Sequence, residues 1–166
     1  MNKINMNIDL VTTGHLLKTT ATIFSGVFVG GALYVTLVEQ PARMTHDPTT
    51  AIIQWKPSFV RAASLQSKLS LLSSASAFGA YFCLRNTSAD ALNWLGCGCM
   101  MLSMLPFTLI FIRPLNNQLI ETEKCISVKG EGWITENLKH WGKLHSVRAI
   151  VSLGAFSFMI YTLNKR

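Results

Sequence analysis

The chain has 166 residues, of which 49% are hydrophobic and 14% charged; an ordinary soluble domain carries about a quarter charged residues. Its few charges sit between long uncharged runs, which points to lipid as the solvent of a multi-pass integral membrane protein. The net charge of +7 is scattered over those intervening segments rather than gathered on one element, which argues for membrane lipid as partner and against nucleic acid.

A first span is expected over about 16–38. Thr19 to Val38 is uncharged, and at about 1.5 Å per residue this run covers a hydrocarbon core of about 30 Å. The polar start through Asp9 and the length of the run predict a retained span rather than a cleaved signal. Gly26 and Gly30 form a G-x-x-x-G pair, spacing that lets another helix approach closely. Glu39-Gln40-Pro41 ends the span. Residues 39–62 read as a long connection, with Trp55, Lys56 and Pro57 of interfacial composition. Within it a short amphipathic helix is predicted around Thr49 to Trp55, started by Asp47-Pro48.

The second span, about 66–84, is the least apolar. Only Leu69 to Leu84 is uncharged, and its serines and alanines suit a helix packed against others. After a short link from Arg85 to Asp90 comes a third span, Ala91 to Ile112. Pro106 is expected to kink it by freeing a carbonyl one turn earlier, and Arg113-Pro114 to close it. Residues 114–140 read as solvated helix or loop punctuated by Gly130 and Gly132. The fourth span runs over about 141–163, beginning near Leu138 or Trp141, with Asn164-Lys165-Arg166 as its anchor. The expected fold is therefore all-α: a transmembrane four-helix bundle forming one domain over 1–166, with interfacial helices in the two longer connections.

Four spans place both termini on one side. Lys3, Lys18, Arg85, Lys165 and Arg166 fall on that side and the other ten basic residues opposite, similar densities that favour neither orientation. Either an endomembrane or a mitochondrial membrane fits this pattern. Of Cys83, Cys97, Cys99 and Cys125, the pair two apart on a helix would face different ways. Small apolar packing explains the cysteines better than a metal or redox site. His15, His46, His140 and His145 have no metal-ligand spacing, and phosphate loops, His-Glu-x-x-His and nucleophile elbows are absent. No metal is expected. Asn86-Thr87-Ser88 matches a glycosylation sequon, but so short a link holds it against the membrane.

In an up-down arrangement one end of the bundle collects Glu39, Arg43, Arg61, Gln66, Arg113, Asn116, Asn117, Trp141, His145 and Arg148. Trp141, His145 and Arg148 share a helical face. Ionisable groups at membrane depth are functional candidates because burying them is costly. The structural alternative is an interfacial belt, with tryptophan at headgroups, arginines on phosphates and Glu39 paired with an arginine.

Four stretches carry a resemblance. Gly30-Gly31-Ala32-Leu33-Tyr34 with Glu39-Gln40-Pro41-Ala42 resembles the first helix of the anthrone oxygenase-like membrane proteins. Trp55-Lys56-Pro57-Ser58-Phe59 with Arg61-Ala62 resembles their first connection. Arg113-Pro114-Leu115-Asn116 is similar to their third-helix exit, and Trp141-Gly142-Lys143-Leu144-His145-Ser146-Val147-Arg148 to the start of their fourth helix. The resemblance covers nearly the whole chain in order. It implies a monooxygenase that needs no cofactor, neither metal nor flavin, and oxidises an anthrone-like polyketide aromatic to a quinone with O₂.

That chemistry asks for a base, a cation over the developing oxyanion and a flat apolar slot. His145 is the expected base, with Glu39 orienting it or replacing it. Arg148, Arg113 or Arg61 would stabilise the anion. Asn116 would hydrogen-bond a phenol, and Trp55 or Trp141 would stack on the rings. The competing classes are a structural subunit or scaffold of a homo-oligomer or larger membrane assembly, and a binder of an apolar metabolite. A slot filled by side chains would favour the scaffold; an open one with His145 exposed would favour the enzyme.

Overall fold

The computed structural model describes the backbone of residues 3–165 and the side chains of 8–165. Arg166 and the Lys3 side chain, placed at the ends in the topology above, lie outside the described residues. Among these residues the fold is all-helical, without strands.

Helix α1 (Lys3–Tyr34) passes through a π-helical turn, Val35–Glu39, into α2 (Gln40–Arg43). The hydroxyls of Thr12, Thr19, Thr20 and Thr22 each donate to the carbonyl four residues back, so polar groups in this apolar run are satisfied within the helix. The long connection expected over 39–62 is almost all helix, because α3 (Pro48–Leu84) is continuous. The Thr50 amide donates to Asp47 Oδ1 at 2.9 Å, an N-cap that leads into the proline at the first helical position. The short amphipathic helix expected near Thr49 is the first part of α3.

Helix α4 (Ala91–Phe107) contains Pro106 and is followed by a second π turn, Thr108–Ile112, then α5 (Arg113–Leu119). The missing proline N–H disturbs the ladder here, yet the chain stays helical past Arg113-Pro114. After α6 (Thr122–Lys124) and a third π turn, Cys125–Lys129, Gly130 adopts φ 82°, a left-handed turn that suits glycine. Helix α7 (Glu131–Asn164) thus begins well before Leu138, with an acidic first turn that suits the helix dipole.

Three helical segments are long and apolar enough to cross a membrane: Ile8–Arg43, Ala91–Leu119 and Glu131–Asn164. Ile23, Val27, Leu37, Leu109, Ile110, Phe111, Ile150 and Tyr161 are each more than half exposed. In water that much outward apolar surface would drive association; in lipid it is the ordinary outer surface. The chain is a membrane protein. α3 is not among the three apolar segments, since serines and Lys68 interrupt its hydrophobic run.

The chain forms two compact units. The first gathers residues up to Val29, Lys68–Met104, and Val151 onward. Its interior sets small residues such as Ala21, Ser73, Ala77 and Ala80 among large ones, Phe28, Leu84, Trp94, Met101 and Met159. Ser73 donates to the Ala21 carbonyl at 2.9 Å and Ser70 to that of Met101 at 2.6 Å. Gly98 lies so close to Phe78 that a Cβ there would meet the ring at 2.5 Å. The second unit comprises Gly30–Ser67 and Leu105–Ile150. Its core includes Val35, Ile52, Trp55, Ile112, Leu119, Ile134, Leu138 and Trp141.

Candidate active site

The second unit contains an aromatic ladder. Trp55, fully buried, stacks on Phe59 with ring centroids 4.7 Å apart and planes 3° from parallel. Trp55 also meets Trp141 edge-on at 5.7 Å. Trp141 in turn stacks on the His145 imidazole at 5.1 Å, as the one-turn spacing on α7 requires. The Trp141 indole N–H donates to Asn116 Oδ1 at 3.0 Å, both residues buried. This bond fixes the ring that carries the ladder from α3 to α7.

One turn further along α7, Arg148 Nη2 donates to Gln66 Oε1 at 2.9 Å. His145 Nδ1 lies 3.1 Å from Thr36 Oγ1, with Thr36 in the π turn that interrupts the first span. Such turns insert a residue into the helical repeat and re-aim side chains, and they recur at functional sites. The second π turn ends on Ile112. Val35 and Ile112, one from each turn, lie on the wall of the same cavity.

That cavity is bounded by Phe59, Ala62, Ala63 and Gln66 of α3 and by Trp141, His145 and Arg148 of α7, with Ser58 beside them. It offers about 20 Å³ to the centre of a water molecule, room for about one water. A pocket for a drug-sized ligand has roughly 300–1,000 Å³. His145 is on the wall but only 4% exposed.

Beside the cavity lies a polar network. Glu39 accepts hydrogen bonds from Arg43 and from Ser58. Arg43 also donates to Gln40 Oε1 at 2.6 Å, and Gln40 Nε2 donates to the Leu138 carbonyl at 2.9 Å. Arg43 is buried, and removing such a cation from water is costly unless carboxylate and amide partners compensate.

The residues singled out from the sequence therefore separate. Trp141, His145 and Arg148 line the cavity together. Trp55 lies behind Phe59, and Asn116 acts on Trp141 rather than facing the cavity. Glu39 bonds Arg43 and Ser58, so the expected contact with His145 is made by Thr36 instead. Arg61 and Arg113, expected to contact substrate, are exposed and off the wall of this cavity. Arg61 reaches back to the Pro57 carbonyl at 3.2 Å, on another face of α3 from Phe59 and Ala62. Thr36 was hidden in an uncharged run, and nothing in its residue type marks it. Among the described residues no three His, Cys, Asp or Glu side chains converge as a metal site. Cys97 is buried and Cys99 exposed, as the helical spacing requires.

The description of the anthrone oxygenase family matches residues 55–158. The matched stretch begins at the ladder's first tryptophan and takes in Trp141, His145 and Arg148, while Gly30 to Ala42 precedes it. No curated protein and no solved structure gives a significant match. With more than half of its length matched, the chain belongs to the anthrone oxygenase family.

Proposed function

We propose that the protein is a membrane monooxygenase that oxidises the methylene carbon of an anthrone-like polycyclic aromatic to a quinone carbonyl with O₂. The observation that carries this reading is one cavity wall holding an imidazole, a guanidinium and aromatic faces: His145, Arg148, Trp141 and Phe59. In the same reading the chain is one domain that crosses the bilayer four times, with α3 supplying the remaining crossing through residues 66–84.

The methylene of an anthrone is acidic because its anion delocalises into two rings and onto the opposite oxygen. In the tautomer whose Nδ1–H donates to Thr36, His145 keeps the Nε2 lone pair to take that proton. Arg148 then faces the negative oxygen, a charge it stabilises more strongly in a dry site than in water. The anion is electron-rich enough to pass an electron to O₂ without a metal or flavin. Recombination gives a peroxide on the same carbon, and His145 returns its proton to it. Loss of the second C–H proton with cleavage of the O–O bond leaves the carbonyl and one water. Both atoms of O₂ are thus accounted for, one in the quinone and one in water.

The test uses detergent-purified wild type and His145→Ala with emodin anthrone under air, quinone formation being followed against the spontaneous background. A positioned general base contributes about 10²–10⁴-fold. Wild-type acceleration that falls by that order in His145→Ala supports the reading. No acceleration across several anthrones refutes it. The cavity's small volume favours one competing reading, a non-catalytic subunit in which these side chains only pin helices together. The same assay decides between them.

A further inference from the structure

The cavity has room for about one water, yet the reaction proposed above needs space for three fused rings. The ladder offers a way to resolve this. Phe59 lies on the cavity wall and Trp55 does not, because Phe59 covers it. Trp55 is 0% exposed and Phe59 only half-buried. The stack is close to parallel, the geometry a flat aromatic ligand would itself adopt on an indole face.

Resting on that reading of the function, we propose that Phe59 occupies the subsite of one substrate ring. Binding exchanges the Phe59 ring for a ring of the planar polycycle on the face of Trp55. Three features support this. Positions 55, 59, 62, 63 and 66 share one face of α3, so beyond Phe59 the floor continues as Ala62 and Ala63 to Gln66. Two alanines leave that floor flat and apolar, long enough at about 1.5 Å per residue for several fused rings. Pro57 sits inside α3 two residues before Phe59, and its missing N–H frees the Ile53 carbonyl one turn earlier, in the stretch that carries Trp55. The ladder of α3 is thus interrupted next to the Trp55–Phe59 stack. Phe59 and Trp55 select for planar, multi-ring ligands, since only a flat ring can replace the lost stack.

A ligand that must displace an internal competitor binds more weakly by the fraction of time the subsite is open. The worth of an aromatic pair converts to about tenfold in affinity. The experiment measures binding of 1,8-dihydroxyanthraquinone by quenching of tryptophan fluorescence, in lipid nanodiscs without O₂, with empty nanodiscs subtracted. Phe59→Ala and Phe59→Leu are each expected to bind about tenfold more tightly than wild type, and Phe59→Trp more weakly. Should Phe59→Ala fail to fold, Phe59→Leu keeps most of the volume without the flat ring and decides the question. Affinity unchanged or reduced in the folded Ala or Leu variant overturns the proposal, even if wild type oxidises anthrones and the oxygenase reading stands. Tighter binding in those variants by a chain that makes no quinone supports the plug and overturns the oxygenase reading. No binding by any variant overturns the plug.

Discussion

The hydrogen bond from Trp141 to Asn116 is the joint on which the ladder turns, and removing either end has a calculable result. Asn116→Leu keeps side-chain size but takes away the acceptor of a buried indole N–H, 3.0 Å distant. Leaving such a donor unsatisfied costs about 1–3 kcal/mol. Trp141→Phe leaves the amide oxygen without its donor and costs a similar amount, plus some packing. In the double variant no polar group is orphaned, so the two losses should not add; a coupling of about 1–2 kcal/mol is expected. For a chain of this size about 1.5 kcal/mol corresponds to a fall of roughly 3–6 °C in Tm. A thiol-reactive dye can follow the transition, because Cys97 and Cys125 are buried and become reactive on unfolding, while Cys99 is exposed and sets the baseline. Trp141→Phe keeps a ring beside His145 and should retain activity better than Asn116→Leu, whose indole is free to turn. An Asn116→Leu variant as stable as wild type, or losses that add in the double variant, would refute the assignment of this bond as the site's fixed point.

Other substitutions probe the rest of the chain. Arg43→Leu strips Glu39 of its cation in a mostly buried pair and should cost about 3 kcal/mol, read in the same thermal assay. Gly98→Ala would place a Cβ 2.5 Å from the Phe78 ring and should cost about 1–3 kcal/mol by overpacking. Gly30→Ala meets nothing within 4 Å and should be neutral or gain about 0.5–1 kcal/mol in helix propensity; a large loss there would show that Gly30 contacts a second chain. The Thr50 hydrogen bonds hold the Asp47 carboxyl below its usual pKa, so its stabilising effect is complete above about pH 3.9 and fades as pH falls through the lowered folded value. Asp47→Asn keeps a capping oxygen without the titration, and its melting temperature should depend less on pH over that acid range than that of wild type.

The sequence was a good guide to helix type and a poor one to helix ends. Long uncharged runs predict helices because lipid leaves the backbone no other way to satisfy its polar groups. Where they stop is set by caps and turns that hydropathy does not see. The Asp47-Pro48 start was legible because its capping chemistry is local. The continuity of α3 through Pro57, and of α7 from Glu131 to Asn164, was not, since polar residues on a helix extending beyond the apolar run look the same as residues in a loop. For the site, the i, i+4, i+7 spacing of Trp141, His145 and Arg148 survived intact because it depends only on helical repeat. That Arg61 and Arg113 lie off this cavity's wall was not legible, because which face of a helix turns inward depends on partners far away in sequence. Thr36 was invisible for a different reason: a π turn shifts the angular register of the residues around it, and nothing in Val35-Thr36-Leu37 announces one.

The serines of α3 show the same limit from the energetic side. Hydropathy counts each hydroxyl against membrane insertion, and by that measure α3 falls outside the apolar helices. Yet Ser70 and Ser73 are buried and donate to the Met101 and Ala21 carbonyls of other helices. Lipid provides no hydrophobic drive between helices, so close approach and interhelical hydrogen bonds of about 0.6 kcal/mol each must provide it. A residue that lowers the apparent fitness of a helix for lipid is then what fastens it to its neighbours. In the second unit Trp55, Phe59 and Trp141 pack on one another and leave only a water-sized gap at His145. A helix pinned through small residues holds its backbone close and fixed, whereas a ring can leave its stack by rotating about two bonds. On the proposed reading, substrate-sized motion belongs to Phe59, which lies half-buried on the cavity wall and is held there by its stack on Trp55.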